Sequence, residues 1–334
     1  MTIFAALPHD HTPDGHVRRV GVELEMAEIS LDAIADIILD CFGGTPQRLS
    51  PFEQQVTETA LGDFRLELDS RLLKRREYLD YLETMGITVD RDAEPGALER
   101  MVADVAGLIV PHEVVAPPIA HHLLPEMDRL RARLQAAGAK GTHTSLLHAF
   151  GLQLNLELAS HDVQSILRHL QAFVLLNDWL LEAAQTDLSR RLTPFVEPFP
   201  SGWGERILQP DYAPDLPGLI DDYLTDNPTR NRPLDMLPLF AHLSPEQIKA
   251  APVEHDLIRP RPTFHYRLPD CRIDEPDWNL SLPWNGWVAV EQLADDPQRL
   301  AVMAQAYLNQ SQDNLVDKGR RWVAQVSDWL RSSP

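Results

Sequence analysis

Val17-Arg18-Arg19-Val20-Gly21-Val22-Glu23-Leu24-Glu25-Met26 is the stretch on which the fold turns. Val20, Val22, Leu24 and Met26 fall on one side of an extended chain, and Arg19, Glu23 and Glu25 fall on the other. That alternation predicts a half-buried β-strand. Three more segments repeat it. Phe64, Leu66 and Leu68 alternate with Arg65, Glu67 and Asp69. Leu152, Leu154, Leu156 and Leu158 alternate with Gln153, Asn155 and Glu157. Phe264, Tyr266 and Leu268 alternate with His265 and Arg267. Strands with one apolar and one polar face belong in an antiparallel sheet covered by helices on one side, so the expected class is α+β.

The segments between these strands read mostly as helices. Ser30 caps a predicted helix from Leu31 to Phe42 that Gly43-Gly44 stops, with Cys41 expected as a buried thiol on its apolar face. Gln54 to Leu61, a Gly62-Asp63 turn and Phe64 to Asp69 read as a hairpin. Helical stretches follow near 72–85 and 97–108, then a short strand from His112 to Ala116 and an amphipathic helix from Leu123 to Ala137. A long helix is expected from Ser160 to about Ala184. Residues 193–260, rich in Pro, Gly and Asp, read as loops and short helices, with Ser244-Pro245-Glu246-Gln247 in the form of a capping box. Helices are expected again over 284–294, 298–309 and 314–330. The implied organisation is a polar lead-in over 1–16, a catalytic domain over 17–294, and C-terminal helices over 295–334 that pack on it.

Composition narrows the partners. The 334 residues carry 50 acidic and 30 basic side chains, for a formal net charge of −20. Such a surface repels nucleic acid and anionic membranes. No apolar run approaches the ~18–20 residues needed to cross a bilayer. Residues 1–13 lack the basic-then-apolar pattern of a signal peptide, so the expected location is the cytoplasm. Cys41 and Cys271 lie far apart and belong to no metal or redox pattern.

The polar strand faces carry the chemistry. Glu23 and Glu25 are two residues apart on a strand, so their side chains share a face roughly 7 Å apart. Glu67 and Asp69 repeat the spacing. Carboxylates gathered on one surface repel, and a divalent cation resolves the conflict; an all-oxygen donor set selects Mg²⁺ or Mn²⁺ over Zn²⁺. Other conspicuous residues read as structural: His121-His122 as an exposed cap region, His143 and His148 as satisfied histidines, Trp278, Trp284 and Trp287 as core, and Gly202-Trp203-Gly204 as a loop.

Taken in order, Gly21-Val22-Glu23-Leu24-Glu25, Glu67-Leu68-Asp69-Ser70, Glu113-Val114-Val115-Ala116-Pro117, Gly151-Leu152-Gln153-Leu154-Asn155 and Phe264-His265-Tyr266-Arg267-Leu268-Pro269-Asp270 resemble the amidoligase family of the glutamine synthetase and glutamate–cysteine ligase superfamily. The resemblance spans about residues 17 to 294. It implies a curved antiparallel sheet in a glutamine-synthetase-like catalytic domain, with ATP as co-substrate and Mg²⁺ or Mn²⁺ as cofactor. It makes Glu23, Glu25, Glu67, Asp69, Glu113 and His265 candidate metal ligands, with Glu67, Asp69 and Arg267 as catalytic candidates. Gln153 and Asn155 stand where glutamine synthetase has two histidines, and His265 stands where it has a glutamate. Two accounts of the departure stay open: a second metal bound differently, or an exchange of ligand types in which His265 supplies the imidazole that position 153 lacks. Arg190, Arg191, Arg259, Arg261 and Arg267 are candidates for phosphate or substrate contact, together with Gln153 and Asn155.

The activity implied is ligation of a small-molecule or peptide carboxylate to an amine through an acyl phosphate. Two alternatives stay open on the residues alone: a metal-dependent hydrolase using the same acids, and a non-catalytic nucleotide-binding protein. Homo-oligomerisation is open too.

Overall fold

The computed structural model describes residues 3–50, 52–68, 111–142, 150–184, 196–310 and 315–331. Asp69, Ser70, His143, His148, Arg190, Arg191 and the expected helices at 72–85 and 97–108 lie outside the described residues. Nine strands, antiparallel wherever their register is defined, and ten helices are present among the described residues, so the class is α+β. The chain divides into two compact units. One comprises Gly21–Leu152 and Asp270–Asn279; the other comprises Met1–Val20, Gln153–Pro269 and Leu280–Pro334.

The first of these contains β1 (Arg19–Met26, entering at Gly21), α1 (Leu31–Phe42), β2 (Thr45–Ser50), β3 (Glu53–Thr59), β4 (Gly62–Leu68), β5 (His112–Val115), β6 (Ile119–Ala120) and α2 (Leu124–Ala136). Its strands lie in the order β2-β3-β4-β5-β1. The alternation decides which face is buried. Val22, Leu24, Met26, Val56, Phe64, Leu66 and Val114 are fully enclosed, each contributing roughly 1.5–3 kcal/mol by leaving water. Helix α1 packs on β2, β3 and β4, and α2 packs on α1. Ser30 caps α1 as expected, its hydroxyl accepting from the Ala33 amide. Cys41, however, is only half-buried: Leu31, Ile34, Ala35, Ile38 and Phe42 form the buried face, and Cys41 lies at its margin.

Two features of this unit escaped the sequence pattern. Strand β2 has no apolar alternation, because it is an exposed edge held by backbone pairing to β3. The hairpin turn is not at Gly62-Asp63 but at Ala60-Leu61. The Thr59 hydroxyl donates to Gly62 O (2.6 Å), and Asp63 accepts from the Glu58 amide (2.9 Å), so Gly62 and Asp63 open β4 instead.

Gly44 carries the chain from α1 into β2 with φ +111°, and a Cβ there would lie 2.6 Å from Thr57 O. Gly44→Ala is therefore expected to destabilise the chain by about 1–3 kcal/mol, through unfavourable φ and overpacking together; urea denaturation checks this, and an unchanged midpoint would refute the clash.

The other unit contains β7 (Leu152–Glu157, entering at Gln153), α3 (Val163–Ala183), α4 (Ser201–Ile207), α5 (Leu216–Asp226), β8 (Leu234–Asp235), α6 (Leu237–Leu243), α7 (Pro245–Ala250), β9 (Thr263–Tyr266), α8 (Ser281–Ala294), α9 (Pro297–Leu308) and α10 (Leu315–Arg331). Its strands lie in the order β7-β9-β8. Helix α3 is the hub, packed by α4, α5, α8, α9 and α10. It starts at Val163 rather than Ser160: Asp162 is the cap, accepting from the Ser165 amide, and Ser160 instead accepts from the Asp162 amide one step upstream. Trp284 and Trp287 are core here, and Trp278 is buried in the first unit, as expected.

Gly202-Trp203-Gly204 is a correction. It belongs to helix α4, anchored because Trp203 is buried and stacks on Phe199 with ring centroids 4.7 Å apart. The Ser244 cap also differs from its sequence form. The hydroxyl donates to the Gln247 side chain (2.7 Å) instead of capping a backbone amide, and Gln247 reaches Pro217 O and Asp221. Among the described residues, no helix is long and apolar enough to cross a membrane.

Candidate active site

Strand register assembles the acidic residues of the first unit. Glu25 on β1 stands opposite Glu113 on β5. Glu113 stands opposite Glu67 on β4, and Glu67 opposite Glu53 on β3. Directly opposed residues on neighbouring strands have Cα atoms about 4.5–5.5 Å apart and side chains on the same face. Four glutamates thus form one row across four strands, on the face opposite Leu24, Val114 and Leu66. All four are half-buried. Glu23 lies beside the row, on the same face of β1 as Glu25.

Like charges opposed across strands are destabilising, and this row opposes them at each of its three steps. Two contacts to the row are defined. Arg65 Nη2 lies 3.3 Å from Glu67 Oε1, and Glu25 Oε2 accepts from the Gly151 amide (2.6 Å). Among the described residues, no three His, Cys, Asp or Glu side chains converge tightly enough to hold an ion. The row supplies oxygen donors at strand spacing rather than a closed ligand cage.

Glu53 was not anticipated. The expected strand began at Gln54, one residue too late, and the misplaced turn hid the pairing of Glu53 with Glu67. The period of two was the available signal: Glu53, Gln55 and Thr57 share a face, all half-buried, while Gln54 and Val56 are enclosed.

In the second unit, a different row crosses three strands: Asn155 on β7, His265 on β9 and Asp235 on β8. The expectation that Asn155, His265 and Arg267 look onto an open sheet surface is corrected here. Asn155 is 4%, His265 2% and Arg267 9% exposed; all of β9 is buried on both faces. Gln153 stays half-buried and donates from Nε2 to Asn155 Oδ1 (2.7 Å), so the two amides at the anticipated ligand positions bind each other.

His265 is neutral at physiological pH. Burial lowers its imidazole well below the ordinary value, and the charges of Arg230, Arg261 and Arg267 lower it further. Nδ1 lies 3.2 Å from Thr263 O. A carbonyl only accepts, so this contact is a hydrogen bond in the tautomer with the proton on Nδ1 and the lone pair on Nε2; the Thr263 hydroxyl lies 3.5 Å from the same nitrogen.

Arg267 Nη1 donates to Arg230 O (2.6 Å). Arg261 is half-buried and Arg259 exposed. Asp235 is completely enclosed; burial raises its carboxyl, opposed by Arg230 and Arg267. Neither Asp235 nor Arg230 stood out in the sequence, because β8 is only two residues long and carries no alternation. A cavity of ≈470 Å³ in this unit, lined by Glu182, Arg320, Val323, Ser327 and Arg331 among others, involves none of the candidate residues.

The described carboxylates on β1, β4 and β5, the amides on β7, and His265 on β9 with Arg267 just beyond it follow the motif order Glu-x-Glu, Glu-x-Asp, Glu113, Gln-x-Asn, His-x-Arg. The model of a family described as a putative amidoligase enzyme matches residues 16–289. The chain belongs to the amidoligase family. No curated protein and no solved structure matches it. The family match takes in all the candidate residues of this amidoligase-family chain, including those outside the described segments.

Proposed function

We propose that this amidoligase-family protein is an ATP-dependent ligase that joins a carboxylate to an amine through an acyl phosphate, with Mg²⁺ or Mn²⁺ held by strand carboxylates. The observation that carries the reading is the row Glu53–Glu67–Glu113–Glu25. Hard divalent cations take oxygen ligands, and aligned carboxylates are the donor set they prefer. A neighbouring pair of the row, Glu25 with Glu113 or Glu113 with Glu67, would hold the ion together with waters and phosphate oxygens of the nucleotide, with Glu23 and Asp69 as further candidates. A bound divalent cation supplies charge neutralisation for phosphate oxygens.

The remaining work falls to the chain's own groups. Arg267, Arg259, Arg261, Arg190 and Arg191 are candidates to bind and orient anionic oxygens of the substrates. The carboxylate substrate attacks the γ-phosphorus of ATP, releasing ADP. The amine then attacks the acyl carbon and phosphate departs. Glu67 or Asp69 accepts the proton that the amine loses. Neutral His265 offers Nε2 as a ligand or acceptor without adding charge.

The second reading is a nucleotide-binding protein without turnover. It is favoured by the Gln153–Asn155 bond, which engages two side chains at positions where glutamine synthetase has histidines. One assay separates the readings. The ligase should release ADP from Mg·ATP only when both a carboxylate and an amine are supplied. Nucleotide-independent hydrolysis of amide substrates would identify a hydrolase. Calorimetric ATP binding with no ADP release across a broad carboxylate–amine panel would leave the non-catalytic reading.

A further inference from the structure

Arg230 is anchored on two sides. Its Nε donates to Asp235 Oδ2 (2.9 Å), and its Nη1 donates to Leu257 O (2.5 Å). Its own carbonyl accepts from Arg267 Nη1 (2.6 Å). Asp235 is anchored in turn, because Oδ1 accepts from the Leu237 amide (3.0 Å) and the side chain is completely enclosed. These contacts leave Arg230 Nη2 without a protein partner among the described residues. The Arg230 side chain keeps 15% of its surface exposed, so it reaches solvent while its partner Asp235 does not. Asp235 stands in register with His265.

A guanidinium fixed at Nε and Nη1, with Nη2 open, is a preorganised oxyanion donor. Little side-chain entropy remains to be lost when an anion binds. With Oδ1 held by the Leu237 amide and Oδ2 on Arg230 Nε, the Asp235 carboxylate is fixed at both oxygens. Held that way, it sets the plane of the guanidinium.

We propose that Arg230 contacts an oxyanion of the substrates, a phosphate or carboxylate oxygen, and that Asp235 is its positioning residue. This rests on the ligase reading for the identity of the anion, but the contact itself is testable apart from turnover.

The test is calorimetric titration of the full chain with Mg·ATP, inorganic phosphate and acetate. Wild type should bind at least one of them. Arg230→Met should weaken that binding by about tenfold or more, the loss expected of a charge-assisted hydrogen bond, while Arg133→Met on α2 should leave it unchanged. Loss confined to Mg·ATP and phosphate assigns a phosphoryl oxygen, and loss confined to acetate assigns a carboxylate. Arg230→Lys keeps a counter-charge for Asp235 and reads the same loss if the methionine variant does not fold.

Asp235→Asn should weaken binding in the wild-type background and add nothing in the Arg230→Lys background; a merely structural Asp235 would weaken both. Undiminished anion binding by both Arg230 variants overturns the proposal and leaves the ligase reading standing. Phosphate binding that depends on Arg230, with no ATP binding by wild type, does the reverse. If wild type binds none of the three anions, both fall.

Discussion

Glu291→Leu is expected to lower the unfolding free energy by about 3–5 kcal/mol, the cost of leaving one partner of a buried ion pair alone. Glu291 and Arg18 are 3% and 1% exposed. Arg18 grips the carboxylate with both terminal nitrogens (2.8 and 2.7 Å), while its Nε donates to Glu157 O and Nη1 also to His9 O. Trp287 Nε1 donates to Glu291 Oε1 (2.7 Å). One guanidinium thereby ties the N-terminal segment, β7 and α8 together within their unit. Removing the carboxylate strands a cation that water cannot reach. Arg18→Met with Glu291→Leu together should cost much less than Glu291→Leu alone, since no charge is then orphaned. Urea denaturation of the three variants measures it; a single-variant loss below about 1 kcal/mol would mean that water reaches the pair.

The same network sets a pH dependence. Burial alone would raise the Glu291 carboxyl, but the bonds and charge of Arg18, with help from His169 and Trp287, hold it below its ordinary 4.5. Its stabilisation is complete above that ordinary value and is lost as pH falls through the lower folded value. His169, stacked on Phe264 with ring centroids 4.9 Å apart, is held neutral by burial, its imidazole below the ordinary 6.5 despite the pull of Glu291. Unfolding releases it to take up a proton, so its contribution erodes once pH drops under about 6.5. Unfolding free energy should therefore decline in two stages on acidification; buried His265 and His112, also held below the ordinary imidazole value, share the upper one, so His169→Phe should make it less steep without abolishing it.

These residues also show where sequence reading reached its limit. The apolar faces of β1, β4, β5 and β7 were legible because burial writes a period of two into the side chains. Glu23, Glu25 and Glu67 were legible as candidates for the same reason, standing out as acids on the complementary face. Register was not legible. Glu53 joins the row only because the turn falls at Ala60-Leu61, and that position depends on the Thr59–Gly62 and Glu58–Asp63 hydrogen bonds rather than on the Gly-Asp pair itself. Burial of polar groups was not legible either. Asn155 and His265 alternate with leucines and aromatics as solvent-facing residues would, yet they are enclosed. Arg18 and Glu291 lie 273 positions apart, and neither breaks its local pattern. Long-range pairing is a property of the packed unit, invisible to periodicity.

The acidic row yields the second large effect. Glu113→Gln is expected to reduce ADP-releasing activity by at least 10²-fold, about 2.7 kcal/mol of lost transition-state stabilisation, and to shrink the thermal stabilisation given by Mn²⁺. Glu113 is the residue to choose because it is flanked on both sides, by Glu25 and by Glu67, and so takes part in two of the row's three steps. Glutamine preserves the size, the strand propensity and one carbonyl oxygen, so the change removes charge and little else. Binding to the native state alone stabilises by about 2.7 kcal/mol at a hundredfold excess over Kd, a shift that scanning calorimetry resolves. Wild type should show it on adding Mn²⁺ after chelation, and Glu113→Gln should show a small fraction of it. Glu58→Gln makes the contrast: Glu58 is exposed and outside the row, so its metal response should match wild type. Equal Mn²⁺ stabilisation of wild type and Glu113→Gln would remove Glu113, and with it the Glu25–Glu113 and Glu113–Glu67 steps, from metal binding, whatever the activity. Full metal response with lost activity would instead assign Glu113 to the substrates. The two readouts together separate a ligand from a catalytic carboxylate, which the alignment of four glutamates by itself does not.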